Sequence, residues 1–512
     1  MKKKIILIIC LVFIAGVTMA GNQKFDYTES IMLPLMKTTT SNYTVVAITT
    51  LTPPGGVGNY GGQMDWSPDG EWITYDVQGE DGFTDIYKIR PDGTDNECLT
   101  CDNFVLPNRH HGQSAWHPSG RYLVFQAEKT SHFMDSWHRP CRPGGGLYND
   151  LWVLDMESEE FYQLTDVRSG LPAGGSLHPH FSHDGKKLIW GDLEGITGSY
   201  GNWRMAVADF VTSPIPHLEN VTYYEPAIMD NWYETHGFGP DDSWIYFTCT
   251  DVEGMNENAM DIGVMKLSNP DDMRRLTFSS GMNGEPAEWD EHAHLSPRND
   301  VFAYVSSSPY GVKDNSKYGN WLKTDVWLMN INGSEPKRIT YFNEPGYPEY
   351  EGDTICADNA WNPDGTKLAV GIYVKDTGET HIKIIEFSID GNHPPDKPIK
   401  PNGPTSGKIG VKYVYTTSTT DPDGDRVYYK WDWGDNISSW MGPFNSNEII
   451  SVEHIWGSKG KYEIRVKAKD IHGEESPWSD SLSITIRKKS FRLLERFMER
   501  LPWLEQLLSV SR

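Results

Sequence analysis

Through most of this chain apolar and polar residues alternate in short runs, and each run is broken by Gly, Pro, Asp or Asn. A period of two predicts half-buried β-strands, and the breaks predict tight turns. The pattern also repeats. Trp66-Ser-Pro-Asp-Gly70 is followed by the strand pattern Glu71 to Tyr75, and Trp116-His-Pro-Ser-Gly120 by Arg121 to Phe125. Phe181 to Gly185, Phe238 to Asp242, Leu295 to Asn299 and Trp361 to Gly365 carry the same turn with the same apolar sequel. The third and fifth copies depart from the turn, at His183 and at Arg298-Asn299. A third strand follows in each unit, as in Asp85-Ile-Tyr-Lys-Ile89 and Asp325-Val-Trp-Leu-Met329, and a fourth ends near Leu-Thr, as at Leu99-Thr100 and Leu276-Thr277.

Four antiparallel strands per repeat make the blade of a β-propeller. The sixth copy stops after Ile382 to Phe387, one strand short, whereas Tyr43 to Thr52 upstream of the first copy ends in the same Leu-Thr. That segment is expected to supply the missing outer strand and close the ring, which removes the open edge. Residues 43–390 resemble the TolB-like propellers, whose repeat carries a Ser-Pro-Asp-Gly turn. The resemblance implies an all-β, six-bladed propeller and does not by itself name an activity.

A Pro-rich linker, 391–404, separates the propeller from a second module, 405–487. There the runs Asp421-Pro-Asp-Gly-Asp425, Tyr429 to Asp435, His454-Ile-Trp456 and Gly460 to Asp470 predict an immunoglobulin-like β-sandwich with buried Trp. They closely resemble a PKD domain, which implies a spacer or adhesive unit. Asp421, Asp423 and Asp425 offer carboxylates to calcium, against the alternative of an acidic turn capped by its own side chains. In 488–512, Phe491, Leu494, Phe497, Leu501, Leu504 and Leu508 line one helical face beside Lys488, Lys489, Arg492, Arg496 and Arg500. A short basic amphipathic helix of this kind docks on a membrane surface, on a partner or on the sandwich edge.

Charge and termini narrow the setting. The chain has 512 residues and a net charge of -25, with the acidic groups spread through turns. Phosphate binding needs Lys/Arg patches, so nucleic acid is not an expected partner. Met1-Lys-Lys-Lys4, an apolar run to about Val17 and small residues at Thr18 and Ala20 predict a signal peptide over 1–20 and a leader over 21–42. Secreted, cell-surface or periplasmic placement follows, with no transmembrane span after cleavage. Export permits disulfides among Cys98, Cys101, Cys141, Cys249 and Cys356. The Cys98-Leu-Thr-Cys101 spacing suits a local disulfide, or a bridge from one of the two to Cys141, better than a zinc site.

Histidine is the unusual residue. His111, His178, His180, His236, His292 and His294 all fall in predicted first strands, which line a propeller's central channel. His236, His292 and His294, with Glu234 or Glu291, form a candidate set for one divalent ion such as zinc, manganese or iron. His178 and His180, from the preceding blade, are expected to complete that set or to act as catalytic groups beside it. Gln63 and Gln113 stand three residues before the Trp of the first two turns and offer amides to a ligand. An insertion over 130–146 adds Trp137, His138 and Arg139 as ligand contacts. The arrangement loosely resembles oligogalacturonate lyases, which implies a metal-bound uronate and proton abstraction beside it, with Arg204 neutralising the carboxylate. That family's metal-site Gln is replaced here by Trp289. No Gly-x-Ser-x-Gly hydrolase domain follows the propeller, and Gly55-Gly-Val-Gly58 lacks the Lys and helix of a phosphate loop.

Three functions stay open on the sequence. The leading one is an exported propeller binding a glycan or protein at its His-lined channel mouth. The second is a metal-dependent enzyme on acidic polysaccharide. The third is a pure interaction scaffold.

Overall fold

The computed structural model describes residues 40–51, 63–132, 141–195, 201–225, 232–389 and 393–488, apart from 251, 253, 257, 309, 313–320 and 472. The expected signal peptide, the C-terminal tail beyond Lys488, and Trp137, His138 and Arg139 lie outside the described residues.

Six four-stranded antiparallel sheets follow one another along the chain. The first is built from Asp65–Trp66, Ile73–Gln78, Thr84–Ile89 and Glu97–Cys98. The sixth takes Thr354–Trp361, Lys367–Val374 and Glu379–Ile389 from the C-terminal side, and its outer strand is Tyr43–Thr50. Tyr43 pairs with Ile389 and Thr50 with Lys383, so the ring closes with a strand from the other end of the domain. Tyr43 is fully buried, and its hydroxyl donates to Asp300 in the fifth blade at 2.9 Å.

Each repeated motif has a physical task. In the turns, Gly70, Gly120, Gly185 and Gly365 all adopt φ near 72°, a left-handed conformation that favours glycine. Where the fourth and fifth copies lack that glycine, Asp242 (φ 57°) and Asn299 (φ 63°) take its place, and Asp and Asn tolerate this region best. The Leu-Thr ending is a latch. Thr100, Thr165, Thr277 and Thr340 accept the backbone N–H of Ile86, Leu151, Ile262 and Val326 at 3.0, 2.8, 2.9 and 2.9 Å. The same hydroxyls donate to an Asp at the first or second position of the third strand, as from Thr277 to Asp261 at 3.0 Å. Between blades, the Trp66 indole donates to the carbonyl of Ala360, and the Trp361 indole to that of His294, both at 3.1 Å.

The C-terminal module is a β-sandwich. Ser406–Lys408, Leu482–Arg487, Gly460–Asp470, Val427–Asp432 and Met441–Phe444 form a five-stranded sheet, and Lys412–Thr417 with Ile450–Ile455 form a second of two. Trp431 and Trp456 are fully buried between them, and Trp431 stacks on Trp433 with ring centres 4.7 Å apart. Asp421 sits in the acidic turn as a cap: its Oδ1 accepts the backbone N–H of Asp423 at 3.0 Å and of Asp425 at 3.1 Å.

Candidate functional site

The first strands do not run as straight ladders. Pairing with the second strand slips between Gly112 and Ala115, Leu177 and His180, Glu291 and His294, and Cys356 and Asn359. A bulge inserts extra residues and re-aims side chains. Gln113, His178 and His292 sit inside these slips with φ of 51°, 45° and 52°. Such a conformation is strained for residues other than glycine and persists where the surroundings enforce it, which is characteristic of functional sites. Asp358 occupies the slip of the sixth blade. All four lie three residues before the aromatic or leucine that opens the turn, so one repeat position supplies a converging ring of polar groups.

Around Asp358 the contacts are close. His294 Nε2 is 3.0 Å from Asp358 Oδ1, His292 Nδ1 is 3.7 Å from Oδ1 and His178 Nδ1 is 3.9 Å from Oδ2. His236 faces the rings of His178, His292 and His294 at 5.4, 5.3 and 5.5 Å, and His180 faces His294 at 5.5 Å. The ligand atoms of His178, His236 and His292 lie within 4.8 Å of one another, as do those of His180, His236 and His294. Glu234, Glu291 and His292 form a further group of this kind. The site is two histidine triads sharing His236, flanked by three carboxylates, and all of these side chains are nearly or fully buried.

Its electrostatics suit a cation. Burial, reinforced by the neighbouring imidazoles, holds His236 and His180 well below the usual histidine range, so both are neutral with lone pairs available. Burial also disfavours the charged form of His292, but Glu291, Asp358 and Glu234 outweigh it and push this imidazole up to about 10. Glu234 is drawn down to about 2 because His178 and His292 overcome its burial. Asp358 is held below the ordinary carboxylate range against its burial, chiefly by His292 and His294. Burial raises Glu291. The cluster thus holds its own proton on His292, where a metal ion would replace it.

The donor set fits a borderline transition metal. His178 Nδ1, His236 Nδ1, His292 Nδ1, Asp358 Oδ2 and Gln63 Oε1 are buried without a hydrogen-bond partner. An unpartnered buried polar atom is costly, and here five point to one neighbourhood. His178 Nε2 also meets two opposed demands. The Gln113 amide stands 2.5 Å from it and needs a lone pair, while the Glu234 carboxylate that touches it needs an N–H. A cation between the imidazole and Glu234 meets the carboxylate's demand without a proton.

Of the residues expected to act together, His178, His180, His236, His292, His294 and Glu291 are brought together. Simple alternation along a strand would put His178 and His180 on one face, but the pairing slips between Leu177 and His180 and the two join different triads. Gln63 and Gln113 reach the cluster, but their amides engage His180 at 3.1 Å and His178 rather than standing open to a ligand. His111 lies apart, between Asp85 at 3.1 Å and the carbonyl of Pro107 at 2.8 Å. Arg204 does not serve the cluster: its guanidinium is engaged by Asp192, Glu194 and Glu225 and lies over the Tyr223 ring. The spacing of Cys98 and Cys101 gives a local disulfide, while Cys141, Cys249 and Cys356 are buried thiols. Asp358 was missing from the sequence reading.

Fold and site together define a six-bladed β-propeller with a polar, histidine-rich axis and a C-terminal β-sandwich. That sandwich is a PKD domain, since the PKD domain model matches residues 399–480. The module is similar to the PKD domain of an M14-like peptidase from Thermoplasmatales archaeon SCGC AB-540-F20, at 45% identity over 19% of this chain and all of that one, with a TM-score of 0.18. The propeller is similar to TolB from Acinetobacter baumannii, at 14% identity over 65% of each chain with a TM-score of 0.37. It is also similar to a putative TolB from Agrobacterium tumefaciens, at 18% identity over 64% of this chain and 91% of that one, with a TM-score of 0.39. Among the described residues no helix is long and apolar enough to cross a membrane.

Proposed function

We propose that this protein is an exported, metal-dependent binding propeller. Its axial cluster holds one transition-metal ion, and the ion presents an open coordination position to a carboxylate-bearing extracellular ligand such as an acidic glycan. The PKD domain spaces or anchors the propeller. One observation carries the reading: two buried histidine triads share His236 and leave three imidazole nitrogens and one Asp358 oxygen unpartnered. Three imidazoles with a carboxylate beside them suit zinc, manganese or iron once the ion displaces the His292 proton, and a three-residue ligand set leaves a position for water or ligand. The N-terminal pattern and the Cys98–Cys101 disulfide support export.

The test is metal content of the purified full chain after reconstitution, for wild type and for His236→Ala, followed by titration with oligouronates with and without chelator. The reading expects a transition metal in the wild type, loss of about one equivalent in the variant, and oligouronate binding that chelator abolishes. Equal metal in both proteins would remove the axial site. Axial metal without oligouronate binding would remove the ligand class alone. Bond cleavage during the titration would move the protein to the lyases.

A further inference from the structure

A second cluster lies in the second blade, away from the axial histidines. Tyr122–Glu128 is that blade's second strand and Asn149–Asp155 its third, and the chain between them carries the insertion. Glu128, the last residue of its strand, is fully buried, as is Cys141, and the His132 side chain is 2% exposed. Their ligand atoms, a carboxylate oxygen, an imidazole nitrogen and a sulfur, lie within 4.8 Å of one another.

An ion pair alone explains part of this. His132 Nε2 is 2.7 Å from Glu128 Oε1, which is a complete interaction if that nitrogen carries a proton. It leaves the other nitrogen unexplained, because His132 Nδ1 is buried with no hydrogen-bond partner. An imidazolium would carry a donor there as well, and a neutral ring would carry a lone pair. The ring is also fixed in place: it stacks on Tyr148 at 4.7 Å with the planes 13° apart. Asn149 Nδ2 donates to the Cys141 carbonyl at 2.9 Å, which fixes the backbone beside the thiol. A locked imidazole, a buried carboxylate and a buried thiol are a donor set for zinc, with thiolate formation releasing one proton.

We infer that Glu128, His132 and Cys141 supply three ligands of a second zinc site, with the remaining position left to water, and that this site clasps the two ends of the blade 2 insertion. The clasp bears on the axial cluster. Cys141 leads directly to Pro143 and Gly144, which pack on Gly112 and Gln113: a side chain added at Gly112 would collide with Pro143, and one at Gly144 would reach the Gln113 amide. That amide is the group set against His178. Zinc at the clasp therefore holds the return segment against a residue that orients an axial histidine.

The test uses cobalt(II) as probe on the full chain. A thiolate ligand gives an intense near-ultraviolet charge-transfer band, and the axial cluster contains no cysteine. The site predicts that band in the wild type, its loss in Cys141→Ser and in His132→Ala, and its persistence in His236→Ala. Zinc should displace the cobalt and abolish the band. No band in the cobalt-loaded wild type would overturn the inference, whether or not any variant folds. A band that survives Cys141→Ser would assign it to another thiol and overturn the site equally. Neither result depends on whether the axial cluster binds metal.

Discussion

His294 Nε2 lies 3.0 Å from Asp358 Oδ1, joining the fifth blade to the sixth across 64 positions of the chain. Among the described residues, Asp358 is the one carboxylate in contact with three of the axial histidines, and chiefly His292 and His294 hold it ionised despite burial. Asp358→Asn keeps the shape and removes the charge. Outer carboxylates typically set metal affinity by about 10- to 100-fold, so the variant should bind zinc or manganese weaker by that factor in competition with a chromogenic chelator. An unchanged affinity would make Asp358 a structural brace for the histidines and remove it from the metal site.

Ring closure gives a second prediction. Tyr43 is fully buried, and its hydroxyl bridges to Asp300. Tyr43→Phe deletes only that donor. Asp300 keeps the Ser296 hydroxyl at 2.5 Å and the Val301 N–H at 2.8 Å, so the loss should fall toward the lower end of about 1–3 kcal/mol. Urea unfolding should show a lower midpoint with an unchanged slope. No shift would mean that the hydroxyl bridge to Asp300 adds nothing to the hold on the closing strand.

The blades were legible because their grammar is local and repeated. Turn glycines, Leu-Thr endings and the Asp at the start of the third strand each recur in the repeat, and the latch that joins them needs no knowledge of other blades. The axial site was half legible for the same reason. The offset that marks Gln63 and Gln113 also marks His178, His292 and Asp358, but the first strand of the sixth copy, Thr354–Trp361, carries no histidine, so a search for histidine there passes over Asp358. What the sequence could not carry is the bulge. Alternation alone puts His178 and His180 on one face, and only the slipped pairing separates them into two triads. Arg204 failed as a ligand-facing group for another reason: of the carboxylates that engage it, Asp192 comes from the neighbouring strand Lys187–Gly195 and Glu225 directly follows the strand His217–Tyr224, and that register is a tertiary property.

Asp76 predicts a dependence on pH. It is buried in the second strand of the first blade and accepts the Gln113 N–H at 3.2 and 3.1 Å. Burial raises its carboxyl well above the usual value of 3.8, with the nearby charge of Asp358 adding to the rise and the Gln113 N–H opposing it. A group whose pKa is raised on folding contributes stability that is complete below its unfolded pKa and is lost as pH rises through its folded one. Asp76→Asn removes that dependence. The stability difference, wild type minus variant, should therefore fall as pH rises from about 4 to about 8. A difference that is flat across this range would place Asp76 at an ordinary carboxylate pKa in the folded protein.

The Leu-Thr latch gives the last prediction. Thr340 is fully buried; its hydroxyl accepts the Val326 N–H at 2.9 Å and donates to Asp325 at 3.1 Å. Thr340→Val is nearly isosteric, so packing is kept while both bonds are lost. Asp325 is little affected, because Arg338, the Tyr310 hydroxyl and the Phe342 N–H still serve it. The loss falls on Val326, whose buried N–H is deprived of this acceptor, a defect that costs about 1–3 kcal/mol. Thr340→Ser restores the oxygen and removes only a methyl group, so it should recover most of the stability. Chemical unfolding of the three proteins decides the matter. If serine is as damaging as valine, the methyl packing rather than the hydrogen bond is what the repeat's threonine supplies, and the latch is not what the recurring Leu-Thr encodes.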